Sequence, residues 1–366
     1  MPPIRVHGAK VSYFTGKLEA CLRYKEIPYE FVPARPDRLR RHTGATQIPA
    51  VEFPDGRWAT DSTPIIAWLD EQHPETPLLP EDPLQAFACQ LIEDYADEWL
   101  WRPAMHYRWS YDVDKYTLSR KIVAELAGGV PLPAVLKRLV IRQRQLRIFV
   151  TGDGVDRSTR AHVEGSYLRV LDLLAGIFEQ RPFVLGERPT LADIGLMGPM
   201  LRHFSHDPTP AALMQERAPA VWAWVARVWN ARASTLGQDA LVDGLPSDLD
   251  ALLREIGETH LAYGSANALA WQRGEARFEV AIQGTTYRRV PASRYRVWCV
   301  EQLRSRFEEL PATVALEARS RLEKTGCWEP LWCPDELASG HDPEGHAPFG
   351  VGLEVLTARR GPARRG

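Results

Sequence analysis

Along the first eighty residues, the spacing of apolar positions changes from alternation to a helical repeat and back to alternation. Alternation before Gly8 is typical of a strand, whereas Leu18, Cys21 and Leu22 recur at helical spacing. The turn Pro54-Asp55-Gly56 between two short apolar runs is typical of a hairpin. The predicted elements are strand 4–8, helix 12–25, strand 29–33, hairpin 50–60 and helix 62–69. This order predicts a small α/β domain over residues 1–77.

From residue 78 onward the apolar spacing is mainly helical, which predicts a second, all-helical domain over residues 78–235. Asp82-Pro83 has the composition of a helix start, and apolar residues from Val163 to Phe178 form one face at a 3.6-residue repeat. Thr190-Leu191-Ala192-Asp193 has the spacing of a capping box. Glycine and proline interrupt the pattern near 111–155, so this stretch is expected to be an insertion in the helical domain.

A third segment, residues 236–366, is predicted as a small α+β extension. Ser247 caps a long predicted helix to about residue 272, and Gln283-Gly284 separates two alternating runs as in a β-hairpin. A helical region over 292–322 and a loop-rich tail complete the segment.

Composition narrows the possible functions. The chain has 366 residues, 45% of them hydrophobic, and 45 basic against 47 acidic side chains give a net charge of −2. That balance gives no global field for nucleic acid or a membrane surface. The apolar stretches are far shorter than the ~20 residues of a membrane span, so a soluble cytoplasmic protein is expected. Five widely spaced cysteines predict free thiols, and no spacing predicts a metal site.

Several motifs of the first two segments, in their order along the chain, resemble the glutathione transferase family, whose fold is a thioredoxin-like domain followed by an all-helical domain. The resemblance covers about residues 4–235. It rests on Ser12-Tyr13-Phe14-Thr15-Gly16-Lys17, Glu26-Ile27-Pro28-Tyr29-Glu30, Gln47-Ile48-Pro49-Ala50, Asp61-Ser62-Thr63-Pro64-Ile65-Ile66 and the capping box.

The resemblance implies that glutathione is the co-substrate and assigns residues that hold it. Ile48-Pro49 corresponds to the family's cis-proline, with the main chain of Ile48 pairing with the cysteinyl part. Ser62 would receive the γ-glutamyl carboxylate and Asp61 the ammonium group, although either residue can also serve simply as a helix cap. Arg38 or Arg41 would reach the glycyl carboxylate.

Thiol activation needs a donor at the start of the first helix, because the thiolate is the reactive species. Alignment on Lys17 places Ser12 at the catalytic position, whereas alignment on Tyr13-Phe14 favours Tyr13. We expect Ser12 to activate the thiol, with Tyr13 and Thr15 as the alternatives. Cys21 is expected to be a core residue.

The aromatic residues between Trp99 and Tyr111 predict either an apolar electrophile pocket or interdomain core. The resulting hypothesis is a cytoplasmic glutathione transferase with a detoxification-type reaction, a small-molecule electrophile and a possible homodimer, without nucleic acid, membrane or metal. A non-catalytic module that binds a protein partner through the extension is the alternative.

Overall fold

The N-terminal domain is a four-stranded mixed sheet with helices packed on it. The computed structural model describes residues 3–236 and 241–350; residues 351–366 of the predicted extension lie outside this range. The strands are β1 (Ile4–Gly8), β2 (Tyr29–Pro33), β3 (Ala50–Glu52) and β4 (Trp58–Thr60), in the order β2-β1-β3-β4. β1 runs parallel to β2 and antiparallel to β3, and β3 pairs antiparallel with β4. The helices are α1 (Tyr13–Tyr24), α2 (Pro36–Thr43) and α3 (Ser62–Gln72). The predicted α/β domain is therefore present.

Two of these helices begin with a side-chain cap. Ser12 Oγ accepts a hydrogen bond from the Thr15 N–H at 3.3 Å, and Asp61 Oδ1 accepts one from the Thr63 N–H at 3.3 Å. Such caps satisfy main-chain donors that the first turn leaves without a helical acceptor. Both caps lie at the same end of the sheet, beside the cavity described below.

The second domain is helical throughout. Its helices are α4 (Pro83–Glu98), α5 (Trp101–Ser110), α6 (Asp112–Leu126), α7 (Ala134–Gln145), α8 (Arg160–Phe178), α9 (Leu191–Pro199), α10 (Pro208–Arg217) and α11 (Pro219–Asn230). The predicted capping box is confirmed: Asp193 Oδ2 accepts from the Thr190 N–H at 2.9 Å. Helices α6 and α7 lie in the stretch predicted as an insertion.

The extension contains α12 (Asp250–Ile256), α13 (Ala262–Gln272), β5 (Arg277–Ile282), β6 (Thr285–Pro291), α14 (Arg294–Glu308), α15 (Ala312–Lys324) and α16 (Trp328–Trp332). The predicted hairpin is confirmed, and Gln283 and Gly284 have φ values of 47° and 78°, as a two-residue turn between twisted strands requires. The helix predicted from 247 to 272 has a π-helical segment at Gly257–Leu261, and that predicted over 292–322 is divided before Pro311.

One continuous hydrophobic core joins the three segments. It includes residues of β1, α4 and α14, and the Phe87 and Phe307 rings meet edge-on with centroids 5.5 Å apart. At Gly195 of α9, an added Cβ would lie 2.7 Å from Glu93 Cα, so glycine permits the close approach of α9 to α4. The extension is thus packed against the central helix α4 through the same core.

Candidate active site

A cavity of about 740 Å³ lies between the N-terminal domain and the helices, and residues of all three segments line it. The N-terminal domain contributes Ser12, Ile48, Pro49, Asp61 and Ser62, the helical domain contributes Trp101 and Met105, and the extension contributes Tyr295 and Arg296. Ile48, Pro49, Asp61 and Ser62, together with the catalytic candidates Ser12 and Tyr13, therefore border one space.

Ser12 presents a hydroxyl to this cavity from the N-terminus of α1. Its Oγ accepts the Thr15 N–H bond, which leaves the hydroxyl hydrogen available for a second group. The positive end of the helix dipole also favours an anion at this position. The arrangement can donate a hydrogen bond to a bound thiolate.

Tyr13 is placed differently. Its side chain is buried and its hydroxyl donates to the carbonyl oxygen of Ala96 at 2.5 Å. Burial, together with Asp97 and Glu98, holds the pKa of Tyr13 well above its ordinary value, so the phenol stays protonated. The third candidate, Thr15, is buried against Gly8 and does not line the cavity.

The Ile48–Pro49 peptide bond is cis, as the resemblance implies. Both residues line the cavity next to the start of β3. Within residues 3–236 and 241–350, neither the N–H nor the carbonyl of Ile48 has a hydrogen-bond partner. An extended peptide ligand can therefore pair with this main chain.

Asp61 and Ser62 form the cavity wall at the N-terminus of α3. Ser62 is buried, and its hydroxyl has no hydrogen bond to any residue that the structure describes. Asp61 adopts a φ of 73°, in the region that non-glycine residues rarely occupy. The Tyr295 hydroxyl donates to Asp61 Oδ2 at 2.8 Å, so a residue of the extension orients this carboxylate.

The charge of Asp61 depends on these surroundings. Burial raises the pKa of Asp61 to about 6, and the hydrogen bond from Tyr295 and the charge of Lys17 act in the opposite direction. Each carboxylate oxygen has two lone pairs, so Asp61 can still accept from a ligand ammonium group. At neutral pH the site can hold a cation.

A network of buried charges supports this wall. Arg296 Nε donates to Glu98 Oε2 at 2.9 Å and Arg296 Nη1 contacts Asp153 Oδ1 at 3.3 Å. Burial raises the pKa of Glu98, and the nearby Arg296 charge opposes that shift. The network fixes α14 against α4 beside the cavity.

The remaining wall is apolar. Phe14 and Trp101 stack with ring centroids 5.5 Å apart, and Phe149 meets Trp101 edge-on. Met105 and Trp109 lie on the same side, whereas Trp99, His106, Tyr107 and Tyr111 do not line the cavity. Some aromatic residues of the segment 99–111 therefore line the pocket, and the others lie in the core. His106 Nε2 lies 2.9 Å from Glu164 Oε1.

Two family models match this chain. The N-terminal domain model of glutathione S-transferase matches residues 6–77, and the C-terminal domain model matches residues 157–227. The chain therefore contains both domains of the glutathione transferase family. The interval between the two matches contains α6 and α7, and the extension follows the second match.

Other similarities of the chain are more distant. It is 29% identical over 96 residues to pyrimidodiazepine synthase of Drosophila melanogaster, which covers 24% of this chain and 40% of that protein. The chain thus spans less than half the length of this curated relative.

Several solved structures are similar to part of the chain. A glutathione S-transferase of Methylobacterium radiotolerans in complex with glutathione sulfonate is 22% identical, covering 62% of this chain and 90% of the other, with a TM-score of 0.38. The β-etherase LigF of Sphingobium sp. strain SYK-6 is 19% identical, covering 62% and 94%, with a TM-score of 0.45. These overlaps are too distant to transfer a ligand or an activity.

The sequence did not predict several residues that line the cavity. Arg38, a candidate for the glycyl carboxylate, pairs with Glu52 Oε2 at 2.9 Å, and Arg40 lines the cavity in place of Arg38 and Arg41. These arginines lie within about one turn of α2, so the sequence could not show which of them faces the cavity. Tyr295 and Arg296 were also missed, because nothing local in the extension indicates contact with a site more than two hundred residues away.

The cysteines are free, and none lines the cavity. Burial raises the pKa of the Cys21 thiol to about 12, as befits a core residue. The described residues contain no group of three or more side chains suited to hold a metal ion. They also include no helix with the length and apolar character of a membrane span.

Proposed function

We propose that this chain binds glutathione in the cavity and transfers it to an apolar electrophile. The observation that carries the proposal is the position of the Ser12 hydroxyl, which has a free hydrogen and borders the same cavity as Ile48 and Ser62. The family match supports the choice of glutathione.

The tripeptide is held by three sets of contacts. The γ-glutamyl carboxylate binds at Ser62, where the first N–H groups of α3 and the helix dipole favour an anion. The ammonium group binds Asp61, which Tyr295 orients. The cysteinyl part pairs with the main chain of Ile48, and Arg40 offers a cation to the glycyl carboxylate.

Ser12 stabilises the thiolate over the thiol. The thiol proton leaves to solvent, and the Ser12 hydroxyl donates a charge-assisted hydrogen bond to the sulfur, worth about 1.5–3 kcal/mol. That corresponds to a thiol pKa lower by about one to two units. The sulfur then donates its electron pair to the electrophilic carbon, and the displaced pair leaves with the leaving group.

The electrophile binds on the apolar wall. Phe14, Trp101 and Phe149 offer aromatic faces, and Ile122 and Leu126 of α6 continue the surface within the insertion. Burial of apolar area there favours an aromatic or alkyl co-substrate.

Calorimetric titration with reduced glutathione tests the proposal. Wild type should bind saturably, and Ser62→Ala should weaken binding by roughly 10- to 100-fold, because a hydrogen bond to a charged carboxylate, worth about 1.5–3 kcal/mol, is lost. Ser166→Ala, a buried serine whose hydroxyl donates to the His162 carbonyl away from the cavity, is the matched control and should bind as wild type does.

The alternative is a non-catalytic interaction module, for which we expect no turnover with any electrophile. The same titration bears on it, because the enzymatic proposal requires glutathione binding. The extension places α14 residues on the cavity, which favours a role at the site over a role in a separate complex. Absence of binding at millimolar glutathione would reject the enzymatic proposal.

A further inference from the structure

Exposed apolar side chains are concentrated on one part of the surface, the insertion hairpin α6–α7. Of the eleven large apolar residues that are exposed in the described chain, seven lie between residues 130 and 146. They are Val130, Leu132, Val135, Leu136, Leu139, Val140 and Leu146. Single exposed apolar residues are ordinary, but a contiguous group indicates an interaction surface.

The apolar residues of α7 share one side of the helix. Val135, Leu136, Leu139 and Val140 are 68%, 48%, 49% and 59% exposed. At about 100° per residue they project within an arc of about 140°. Ile141, on the opposite side, packs against the core. Since α7 has no buried residue, its outer face is not needed to hold the helix on the protein.

The same segment is strongly basic. Residues 127–152 contain no Asp or Glu, and their charged residues are Lys137, Arg138, Arg142, Arg144 and Arg147. None of the five pairs with a carboxylate of the described chain. Arg142 lies over the Tyr116 ring at 4.6 Å, and Lys137 Nζ donates to the Ala127 carbonyl at 2.8 Å. The positive charges are therefore uncompensated.

We propose that the outer face of α7 docks on an anionic lipid bilayer. Apolar side chains enter the boundary of headgroups and acyl chains, as for helices that lie in the membrane plane, and the basic residues of the segment contact anionic headgroups, except Arg144, which lines the cavity. A second copy of this chain would bring the positive charges of one copy against those of the other in a two-fold contact. A nucleic acid would match the charges and leave the apolar residues in water.

The proposal departs from the expectation of no membrane, which rested on the net charge of the whole chain. The net charge of the whole chain does not reveal a local cluster of basic residues, because acidic residues elsewhere balance it. Ile122, Leu126 and Phe149, on the inner side of the same insertion, line the cavity. The docked face and part of the cavity wall therefore belong to one insertion. Docking requires no glutathione and stands apart from the proposed function.

Vesicle flotation with the full-length protein tests docking. Phosphatidylcholine vesicles with about 30 mol% phosphatidylserine should bind the protein, whereas pure phosphatidylcholine vesicles should bind roughly tenfold less. Binding should weaken when salt rises from about 0.05 M to about 0.5 M, because surface attraction is screened. Glutathione is omitted, so the result is independent of the proposed function.

Paired variants separate the two contributions. Leu136→Ser with Leu139→Ser, and separately Arg142→Gln with Arg147→Gln, should each reduce vesicle binding roughly tenfold. The control for apolar loss is Leu316→Ser, an exposed leucine on α15, and the control for charge loss is Arg254→Gln with Arg306→Gln in the extension. Both controls should bind as wild type does.

Three outcomes would overturn the proposal. They are equal binding to neutral and anionic vesicles, unchanged binding of the hairpin variants, and a dimer in light scattering that Leu136→Ser with Leu139→Ser dissociates. The last result would assign the face to a second copy of the chain.

Discussion

Ser12 has two roles at the N-terminus of α1, as a helix cap and as the proposed hydrogen-bond donor to sulfur. The roles use different parts of the hydroxyl: the oxygen accepts from the Thr15 N–H, and the hydrogen remains available for another acceptor. Tyr13 cannot share the second role in this arrangement, because its hydroxyl hydrogen is directed to the Ala96 carbonyl.

Ser12→Ala should lower the rate of glutathione conjugation about 10- to 100-fold, because about 1.5–3 kcal/mol of thiolate stabilisation is lost. The pH dependence of the rate should move upward by about one to two units, and Ser12→Thr should restore most of the rate. Steady-state kinetics across pH measure both effects.

Loss of the cap must be separated from loss of chemistry. Asp82→Ala removes the cap of α4, where Asp82 Oδ1 accepts from Leu84 and Gln85, at a cost of about 1 kcal/mol of stability. It should leave the conjugation rate unchanged. A Ser12→Ala enzyme with wild-type kinetics would exclude Ser12 from the mechanism.

Tyr295→Phe tests the charge of Asp61. Burial raises the pKa of Asp61 to about 6 and the Tyr295 hydrogen bond opposes that shift, so its removal raises the pKa further. The ammonium of glutathione needs the ionised carboxylate. Affinity should therefore fall as pH decreases through about 6 in wild type, and begin to fall at a higher pH in Tyr295→Phe.

Calorimetric titration with S-methylglutathione from about pH 5 to about pH 7 measures this shift, because this ligand has no thiol to titrate and its α-amino group stays protonated below about 7.7. Tyr287→Phe is the matched control, because it removes a buried hydroxyl of the extension that lies 2.7 Å from His162 Nδ1 and does not line the cavity. Superimposable pH profiles for wild type and Tyr295→Phe would contradict the assigned role.

At the scale of elements, a buried lysine joins three helices. Lys17 of α1 is fully buried; its Nζ donates to Thr63 of α3 at 3.0 Å, to Asp97 of α4 at 2.5 Å and to Glu93 of α4. Burial holds the pKa of Asp97 well above its ordinary value, an effect that the Lys17 charge opposes. The lysine thus fixes the two helices whose N-termini form the site.

Lys17→Met should lower the free energy of unfolding by about 3–5 kcal/mol, because two buried acids lose their partner. Adding Glu93→Gln and Asp97→Asn should recover part of the loss, which urea unfolding measures. Lys115→Met, which breaks an exposed pair with Asp112, is the control and should change stability by less than about 0.5 kcal/mol. Equal effects at the two lysines would contradict the proposed role.

The sequence predicted those turns and helix starts that depend on a few neighbouring residues. Gln283-Gly284 specified the hairpin turn, and Thr190 with Asp193 specified a helix start. The π-helical segment at Gly257–Leu261 gave no signal, because an added residue in a helical turn barely alters apolar spacing. It depends on tertiary packing, and an added Cβ at Gly257 would lie 2.8 Å from the Gly326 carbonyl oxygen.

At the scale of the whole molecule, the candidate site combines predicted and unpredicted parts. Ser12, Ile48 and Ser62 are close to motifs that local sequence can reveal. Tyr295 comes within hydrogen-bond distance of Asp61 only because α14 packs on α4, a contact between distant parts of the chain. Only the folded chain shows that the extension forms a wall of the site.

The shared core predicts that the three segments unfold together. Phe307 of α14 packs on Phe87 of α4 and on Trp328 and Trp332, so Phe307→Ala should cost about 3–5 kcal/mol. Because the core is continuous, this loss should lower the unfolding midpoint of the whole chain. Far-ultraviolet circular dichroism and tryptophan emission should report one coincident transition.

Leu316→Ala supplies the comparison, because Leu316 is 71% exposed on α15 and its truncation should leave the midpoint nearly unchanged. Two separated transitions in Phe307→Ala, with glutathione affinity retained after the first, would mean that the extension folds independently and does not complete the site. If α4 and α14 share one core, the chain should unfold in a single transition, and glutathione affinity should be lost in that same transition.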